Sequence, residues 1–356
     1  MTDAAATAAP PAAAAQGAAR LRCVARRAEA ADIVTFTLRP EAGWTRHATG
    51  QCVTVLWDMG GGVTAPRTFT IASPGTRGPE IEITVRRSAS GATAAMHDRL
   101  RPGGVVDARG PAGGFGPLHD RTTAPLLLVG AGSGATPAMA ALRHLHDAGD
   151  LGRDVVYLHA AASPDALLFR DELADLCRAM PGLTLLLLPS RVPPGTAWAG
   201  PRGRVTRRLL HALVPDAVDR FCYLCGPPGF MDAVRRALRA SGVPSAAIRE
   251  ERFHPIEAEP DDGPAPTPVA AGTARLTQSG RAVPLRAGVP LSRSLDAAGV
   301  VVPTGCRQGL CGTCRIRVTG GAVEPRDRGG LSEAERAAGL VLACSAFPAG
   351  DVEIDL

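Results

Sequence analysis

The chain has 356 residues, too many for one ordinary hydrophobic core, so two or three domains are expected. Its apolar fraction of 45% is that of a globular protein, and its net charge of +5 comes from scattered arginines without a basic block. The composition therefore favours neither nucleic acid nor a membrane surface as a partner. The sequence predicts no transmembrane helix, because it lacks an apolar run of about 18 residues.

Residues 1–19 are rich in alanine and are predicted to form a disordered leader. This segment has neither the basic start nor the continuous apolar stretch of a signal peptide. The chain has nine cysteines, but a disulfide scaffold is typical of much shorter, secreted chains. A cytoplasmic protein is therefore expected.

Residues 20–122 are predicted to form a small antiparallel β-barrel. Val34, Phe36 and Leu38 alternate with threonines, and the same period of two continues over residues 81–85. Glycine and proline clusters separate these runs, as they separate short strands.

Two segments of this region suit an anionic ligand. The segment from Arg67 to Thr70 offers a cation, an aromatic ring and a hydroxyl, although many strands contain such residues by chance. The segment from Gly91 to Thr93 precedes a helix predicted over residues 94–100. Backbone N–H groups and the Thr93 hydroxyl are then expected at a helix start, an arrangement that suits a pyrophosphate.

Together these segments resemble the flavin-binding domain of the ferredoxin reductase superfamily, whose signature is R-x-(Y/F)-(S/T) followed by G-x-(S/T). The resemblance implies that Arg67 contacts a flavin phosphate and that Phe69 packs against the isoalloxazine or the ribityl chain. It also implies that Thr70 reaches the ring near N5. The flavin is expected to be FAD, with FMN as the alternative, and its pyrophosphate to be contacted by Gly91, Ala92 and Thr93.

Residues 123–254 are predicted to form a nucleotide domain with a parallel sheet. The apolar run 126–129 is followed by a glycine turn and by a helix that Thr136 is expected to cap and Pro137 to begin. This order favours a dinucleotide phosphate site, although many glycine turns serve steric needs alone. The alternation that follows predicts helices on both faces of the sheet, with strands over 155–159, 183–188 and 220–224 and helices over 165–180 and 204–213.

The last of these strands ends near Cys225, at the carboxyl edge where parallel sheets bind ligands. The turn C-G-P-P-G-F-M at this edge and the earlier loop G-x-G-x-T-P resemble the nucleotide domain of the same superfamily. The resemblance implies two groups of cofactor-binding residues: Gly132, Gly134, Thr136 and Pro137 at the dinucleotide, and Cys225, Gly226, Pro227, Phe230 and Met231 beside the nicotinamide.

The resemblance also implies catalytic positions for Thr70, Cys225 and Glu251 at the hydride path. It places Phe253 over the flavin face that the nicotinamide approaches, although Phe253 is equally interpreted as an ordinary core aromatic. Cys222 and Cys225 form a C-x2-C pair, for which a zinc site or a thioredoxin-like redox pair is the alternative.

The turn after the second strand of the parallel sheet indicates the coenzyme. Family members that bind a 2′-phosphate usually place an arginine there, whereas this chain has an uncharged segment over residues 160–163. NADH is therefore expected. NADPH is the alternative, because Arg191 or Arg202 can reach a phosphate.

The C-terminal region contains a predicted iron–sulfur site. A proline-rich, acidic linker over residues 255–272 precedes a compact unit over 273–356, in which three cysteines share one short loop. The spacing C-x4-C-x2-C with a distant fourth cysteine is typical of plant-type 2Fe-2S ferredoxins, whereas structural zinc sites usually have two short-spaced pairs. Gly309 and Gly312 give the loop the backbone freedom to fold tightly. The predicted metal ligands are Cys306, Cys311, Cys314 and Cys344.

Taken in order, the three regions resemble the phthalate dioxygenase reductase family. The implied fold is multidomain: an antiparallel β-barrel flavin domain, an α/β parallel-sheet nucleotide domain and an α+β β-grasp ferredoxin domain. The implied activity is that of an NADH-dependent iron–sulfur flavoprotein reductase. NADH gives two electrons as a hydride and the cluster accepts one, so a flavin must connect them.

A separate electron acceptor is expected, because the sequence has no oxygenase, haem or mononuclear iron motif. An oxygenase component of Rieske type is the leading candidate, and a hybrid-cluster protein, a cytochrome P450 or a desaturase is an alternative. A non-enzymatic iron–sulfur redox sensor with a vestigial flavin region is a further alternative. The intact residues Arg67, Thr70, Gly132 and Thr136 argue against it.

Overall fold

The computed structural model describes residues 19–41, 44–60, 63–253, 270–300, 302, 304, 307, 309, 312, 314–327, 330, 331 and 333–356. These residues form an N-terminal, a central and a C-terminal sheet. Of the predicted leader only Ala19 is described, and of the predicted linker only residues 270–272, which already belong to a strand. No helix in the described part of the chain is long and apolar enough to span a membrane.

The N-terminal sheet is antiparallel and closes into the predicted barrel. Its elements are β1 (Ala19–Ala30), β2 (Ile33–Pro40), β3 (Cys52–Gly60), β4 (Val63–Thr70), β5 (Ile81–Arg86), α1 (Gly91–Arg99), β6 (Val105–Ala112) and α2 (Pro117–Asp120). The strands follow the order β4-β3-β6-β1-β2-β5, and a bridge between Ile71 and Ile83 joins the two ends of that order. Inward-facing side chains such as Phe36 and Val53 are fully buried and fill the barrel.

The central sheet is parallel, and helices connect its strands. Its elements are β7 (Leu126–Ala131), α3 (Thr136–Asp147), β8 (Val155–Ala161), α4 (Arg170–Ala179), β9 (Leu183–Pro189), α5 (Arg207–Leu213), β10 (Phe221–Cys225), α6 (Pro228–Ala240) and β11 (Ile248–Glu251). The strand order is β11-β10-β7-β8-β9, so the chain moves outward from β7 on one side and returns to β10 on the other. The gap between the carboxyl ends of β7 and β10 is therefore the topological switch point, where such sheets bind ligands.

The C-terminal sheet has the mixed topology of a β-grasp domain. Its elements are β12 (Ala270–Leu276), β13 (Ala282–Arg286), α7 (Leu291–Ala297), β14 (Arg315–Pro325), α8 (Glu333–Ala337), β15 (Leu340–Leu342) and β16 (Ala346–Ile354). In the order β13-β12-β16-β14-β15, only the pairing of β12 with β16 is parallel. Cys314 and Cys344 lie in the buried core below this sheet.

Several helices begin at other residues than the sequence predicted, among them α5, which begins at Arg207 and not at residue 204. The first helix of the barrel begins at Gly91, so residues 91–93 form its first turn and do not precede it. The helix expected from Asp165 begins only at Arg170, because Phe169 takes a left-handed conformation with φ of 55° and interrupts the pattern.

The barrel and the central domain are joined along α3. Thr49 and His144 form a hydrogen bond of 2.8 Å between Oγ1 and Nδ1. One turn further, Arg77 donates to both carboxylate oxygens of Asp147 at 2.8 and 2.9 Å. These contacts hold the two domains side by side, with the switch point of the parallel sheet facing the barrel strand that ends at Thr70.

Candidate functional site

On the barrel side, two predicted anion-binding groups lie together. Arg67 is on β4, and a Cβ placed on Gly91 would lie 3.9 Å from its Nη2 atom. The guanidinium is thus next to the start of α1, where unpaired backbone N–H groups favour negative charge. A cation and a helix start at one place fit a flavin phosphate.

The Thr93 hydroxyl has a role within the loop before α1. Its Oγ1 accepts a hydrogen bond from the Ser88 backbone N–H at 3.1 Å and is also bonded to the Ser88 hydroxyl. These bonds hold the loop over residues 88–90 against the first helical turn. The sequence predicted a hydroxyl at the helix start, and the structure places it there, already engaged with the loop.

On the central side, two loops meet at the switch point. A Cβ placed on Gly134 would lie 2.4 Å from the carbonyl oxygen of Cys225, closer than real Cβ atoms approach. Only glycine allows the loop after β7 to lie directly against the turn after β10. The two predicted nucleotide-binding segments are therefore adjacent, as a dinucleotide that spans them requires.

The prediction that Thr136 caps α3 is wrong. Residues 132–135 form a 3₁₀ turn that continues directly into the helix, and Thr136 itself has helical angles of φ −61° and ψ −42°. Its hydroxyl donates to the Ser133 carbonyl at 3.0 Å. The backbone of the glycine loop, and not a threonine side chain, thus forms the start of the helix, and Pro137 follows inside the first turn.

Of the residues predicted beside the nicotinamide, Cys225 and Gly226 are buried and Pro227 is exposed at the start of α6. Phe230 is half-buried and packs against Gly226. Met231 is fully buried in the hydrophobic core on that side of the sheet.

The two domains meet at a hydrogen bond between predicted catalytic residues. The Thr70 hydroxyl, at the end of β4, donates to Glu251 Oε2, at the end of β11, with a distance of 2.7 Å. Thr70 is 3% exposed and Glu251 is 6% exposed. Burial raises the pKa of the nearby Cys225 thiol well above its usual value, and the negative charge of Glu251 raises it further. The structure thus brings Thr70, Cys225 and Glu251 together, with half-buried Phe253 two residues beyond.

The C-x2-C pair does not behave as a metal or redox site. Cys222 and Cys225 are three positions apart on β10, so their side chains point to opposite faces of the sheet. Burial raises the pKa of the Cys222 thiol to about 12, which disfavours the thiolate that zinc or a redox pair needs.

The sequence interpretation missed Arg86. A Cβ on Gly132 would lie 2.6 Å from the Arg86 Nη2 atom, so this barrel side chain covers the glycine loop of the central domain. It therefore places a guanidinium at this loop, where its Nη1 atom also pairs with Asp32 Oδ2 at 3.4 Å. Its position at the end of a predicted strand, five residues before Gly91, was the only signal in the sequence.

A cavity of about 620 Å³ lies at the far end of the central sheet, beyond the carboxyl ends of β8 and β9. Ser163, Arg191 and Arg202 line it. Within the described part of the chain, neither guanidinium forms an ion pair. The two arginines considered for a 2′-phosphate therefore share one cavity.

In the C-terminal domain, Cys314 and Cys344 are the described members of the predicted cluster ligands, and Cys306 and Cys311 lie outside the described residues. Cys314 is 2% and Cys344 is 9% exposed, and the Cys314 carbonyl accepts a hydrogen bond from the residue before Cys344. The Gly309 N–H donates to Cys344 Sγ at 3.3 Å, a contact that favours a thiolate ligand. Gly309 has φ of 72°, and a Cβ there would lie 2.7 Å from the Asp327 Cα, so the loop requires glycine. These features fit a 2Fe-2S cluster.

Three family models match consecutive parts of the chain. An oxidoreductase FAD-binding domain matches residues 20–116, an oxidoreductase NAD-binding domain matches residues 128–236, and a 2Fe-2S iron–sulfur cluster binding domain matches residues 275–349. The FAD model covers the barrel from β1 to β6. The NAD model spans the glycine loop and Cys225, and the cluster model spans all four predicted cysteine ligands.

Two curated relatives are similar over nearly their whole length. The stachydrine N-demethylase reductase subunit Stc4 of Rhizobium meliloti is 32% identical over 94% of this chain and 96% of its own. The glycine betaine monooxygenase reductase subunit of Pseudomonas aeruginosa is 29% identical over 94% of both chains. Among solved structures, phthalate dioxygenase reductase aligns with a TM-score of 0.58 over 96% of this chain and 98% of its own, at 23% identity.

Proposed function

The chain belongs to the family of iron–sulfur flavoprotein reductases that serve oxygenases, and we propose that it passes electrons from NADH through FAD and a 2Fe-2S cluster to a separate oxygenase component. The observation that supports this most directly is the Thr70–Glu251 hydrogen bond of 2.7 Å, which joins the flavin motif to the nucleotide domain where a hydride must cross.

A bound flavin accepts a hydride and releases electrons one at a time. Arg67 and the start of α1 would hold its phosphates, and Arg86 and the glycine loop around Gly134 would hold the dinucleotide. The Thr70 hydroxyl donates its one proton to Glu251, so its oxygen would be left to accept a hydrogen bond from the bound ring. Cys225 stays a neutral thiol because its pKa is raised, so it offers a polarizable surface without a competing charge.

The domain limits that we propose are 20–122 for the flavin domain, 123–254 for the nucleotide domain and 273–356 for the ferredoxin domain, after a leader over 1–19 and with a linker over 255–272. The start of β12 at Ala270 favours a slightly shorter linker. We place the protein in the cytoplasm, which supplies NADH and keeps cysteine thiols available as cluster ligands.

NADH is the proposed coenzyme because the turn after β8 is uncharged. Arg191 and Arg202 line the nearby cavity, so NADPH is the competing substrate. Steady-state assays with both coenzymes are expected to give a higher kcat/KM for NADH. A higher kcat/KM for NADPH would contradict the assignment and point to the two arginines.

The proposed acceptor is an oxygenase component of Rieske type. The two relatives serve enzymes named for stachydrine and glycine betaine, both quaternary ammonium carboxylates, which favours an oxygenase acting on a compound of this kind. The test is NADH-dependent turnover of such an oxygenase in the presence of this chain. Transfer only to a cytochrome P450 would exclude the Rieske assignment.

The proposed electron path is tested with the purified protein, NADH and a dye acceptor. Dye reduction is expected, and its absence would favour a redox sensor. Chromatography of the flavin released by heat is expected to show FAD. Recovery of FMN would mean that the flavin cofactor is FMN and not FAD. A zinc-containing, colourless preparation would overturn the whole proposal.

A further inference from the structure

One arginine of the central domain is buried against the barrel. Arg143 lies on α3, and its side chain is 2% exposed. Its Nε and Nη2 atoms donate to the two carboxylate oxygens of Glu172, in its own domain, at 2.6 Å each. Its Nη1 atom donates across the domain boundary, to Glu82 Oε2 at 2.8 Å and to the Ala72 carbonyl at 2.9 Å.

The surroundings keep this guanidinium charged and fixed. Burial alone would lower the pKa of Arg143, but hydrogen bonds and the charges of Glu172 and Glu82 raise it above its usual value. The guanidinium also lies 5.4 Å from the centroid of the Phe169 ring. Planar, bidentate contacts of this kind allow an arginine few alternative positions.

The contacts of Arg143 reach both halves of the candidate site. Ala72 follows Thr70 by two residues, so the arginine holds the barrel segment that ends in the flavin motif. At its other end, α3 continues directly from the 3₁₀ turn over residues 132–135, the loop assigned to the dinucleotide. Arg143 is thus a rigid link between the nucleotide loop and the flavin-binding strand.

We propose that Arg143 is a positioning residue for hydride transfer, because it sets the distance and angle between the nucleotide loop and the flavin-binding strand. The proposal rests on the proposed function and adds a determinant of its rate. The Thr49–His144 and Arg77–Asp147 bonds keep the domains attached when Arg143 changes. The expected consequence is therefore altered geometry and not separation of the domains.

The test is stopped-flow reduction of the flavin by NADH in the full-length protein, with Arg143→Lys compared with wild type. Lysine keeps the charge but cannot contact Glu172, Glu82 and the Ala72 carbonyl together. Because reacting atoms must meet within a fraction of an ångström, the limiting rate is expected to fall on the order of ten- to a hundredfold. The NADH concentration for half-saturation and the flavin content are expected to change less than about twofold.

Arg220→Lys is the matched control. Arg220 is 7% exposed and pairs with Asp154 and Asp216, but both partners belong to its own domain. Its substitution is expected to cost stability without changing the limiting rate of flavin reduction. Equal slowing in both variants would overturn the proposal, as would a limiting rate of Arg143→Lys within twofold of wild type.

Glu82→Ala tests the same link from the barrel side, because it removes the acceptor of the Arg143 Nη1 hydrogen bond and leaves the Arg143–Glu172 pair intact. It is expected to lower the limiting rate as well, and a normal rate in this variant contradicts the proposal even if Arg143→Lys fails to fold. Flavin reduction in wild type distinguishes a failure of the proposed function from a failure of the role of Arg143. Flavin that NADH does not reduce in wild type refutes the proposed function, whereas normal reduction in both variants refutes only the role of Arg143.

Discussion

Glu251 is buried where two domains meet, and its carboxylate accepts a hydrogen bond from Thr70. An ionised group with no donor would be costly in such a place, by several kcal/mol. The hydroxyl and the carboxylate therefore fix each other's position. Since they come from different domains, this pair also contributes, together with Arg143, to how the flavin motif faces the nucleotide domain.

Arg67 is the residue on which retention of the flavin is expected to depend most. Its guanidinium lies next to Gly91 at the start of α1, so under the proposed assignment its removal takes a charge-assisted contact from a flavin phosphate. Arg67→Ala is expected to weaken flavin binding by about 1.5–3 kcal/mol. The measurement is the flavin content of the purified protein and the dissociation constant for added FAD.

Arg39→Ala is the control for this change. Arg39 is an exposed arginine of the same barrel that pairs with Glu80 at the surface, and its substitution is expected to leave the flavin content unchanged. A normal flavin content in Arg67→Ala would remove Arg67 from the site.

At the scale of elements, the contact between the loop after β7 and the turn after β10 is expected to shape the proposed nucleotide site. Gly134→Ala would place a methyl group 2.4 Å from the Cys225 carbonyl, so the loop after β7 must move away from the turn after β10. Overpacking of this kind costs about 1–3 kcal/mol, and KM for NADH is expected to rise about tenfold or more.

Gly152→Ala is the comparison for Gly134→Ala in steady-state kinetics. Gly152 lies in the turn before β8, at the opposite edge of the same sheet, and a Cβ there meets nothing within 4 Å. KM for NADH is expected to be unchanged in this variant. An unchanged KM in Gly134→Ala as well would show that the loop contact does not shape the nucleotide site.

Strand β8 is expected to lose stability in acid because of His159. The imidazole is fully buried and its Nε2 accepts a hydrogen bond from the Leu168 backbone N–H at 2.9 Å. Burial lowers the pKa of His159 from 6.5 to about 4. Below pH 6.5, His159 is therefore protonated in the unfolded chain but stays neutral in the folded chain. The free energy of unfolding falls with pH until the pH reaches the pKa of His159 in the folded chain. Between pH 7 and pH 5 the loss is about 2 kcal/mol.

Hydrogen exchange of β8 amides measures this loss as a fall in the free energy of opening. His159→Gln keeps an acceptor for the Leu168 N–H but does not titrate, so its β8 amides are expected to show a smaller dependence on pH. If wild type and His159→Gln lose the same free energy between pH 7 and pH 5, another group is responsible.

Most elements of the central domain were predictable, because buried strands and amphipathic helices leave clear periodic patterns. Helix ends were less so. Threonine is a common N-cap residue, yet the glycine loop before Thr136 forms a 3₁₀ turn that leads directly into the helix, so Thr136 is already helical. Phe169 has no sequence signal for its left-handed conformation, which depends on packing against arginines from two domains.

For the whole molecule, the order of domains was predictable from local motifs, but the contacts between domains were not. Arg143 appears in the sequence as one more arginine on a helix, and its partners Ala72 and Glu82 lie 71 and 61 residues away. The same holds for Thr70 and Glu251, 181 residues apart. Their pairing follows from how the barrel packs on the central domain, which no local pattern encodes.

The modular arrangement predicts that the cluster can be removed without harm to the flavin reaction. Cys311 is one of the predicted ligands, and the cluster model matches the C-terminal region separately from the two nucleotide-binding models. Cys311→Ser is expected to abolish the visible absorbance of the 2Fe-2S cluster, because a hydroxyl is a poor substitute for a thiolate ligand. Flavin reduction by NADH is expected to keep its wild-type rate, while reduction of a one-electron protein acceptor is lost.

Cys177→Ser is the control for this prediction. Cys177 is a half-buried cysteine of α4, outside the C-terminal domain, and its substitution is expected to leave both the cluster absorbance and the flavin reaction intact. Loss of flavin reduction in Cys311→Ser would mean that the cluster domain supports the flavin site directly. A cluster spectrum identical to that of wild type in Cys311→Ser would instead remove Cys311 from the ligand set, since loss of a thiolate ligand changes the spectrum of a four-thiolate cluster.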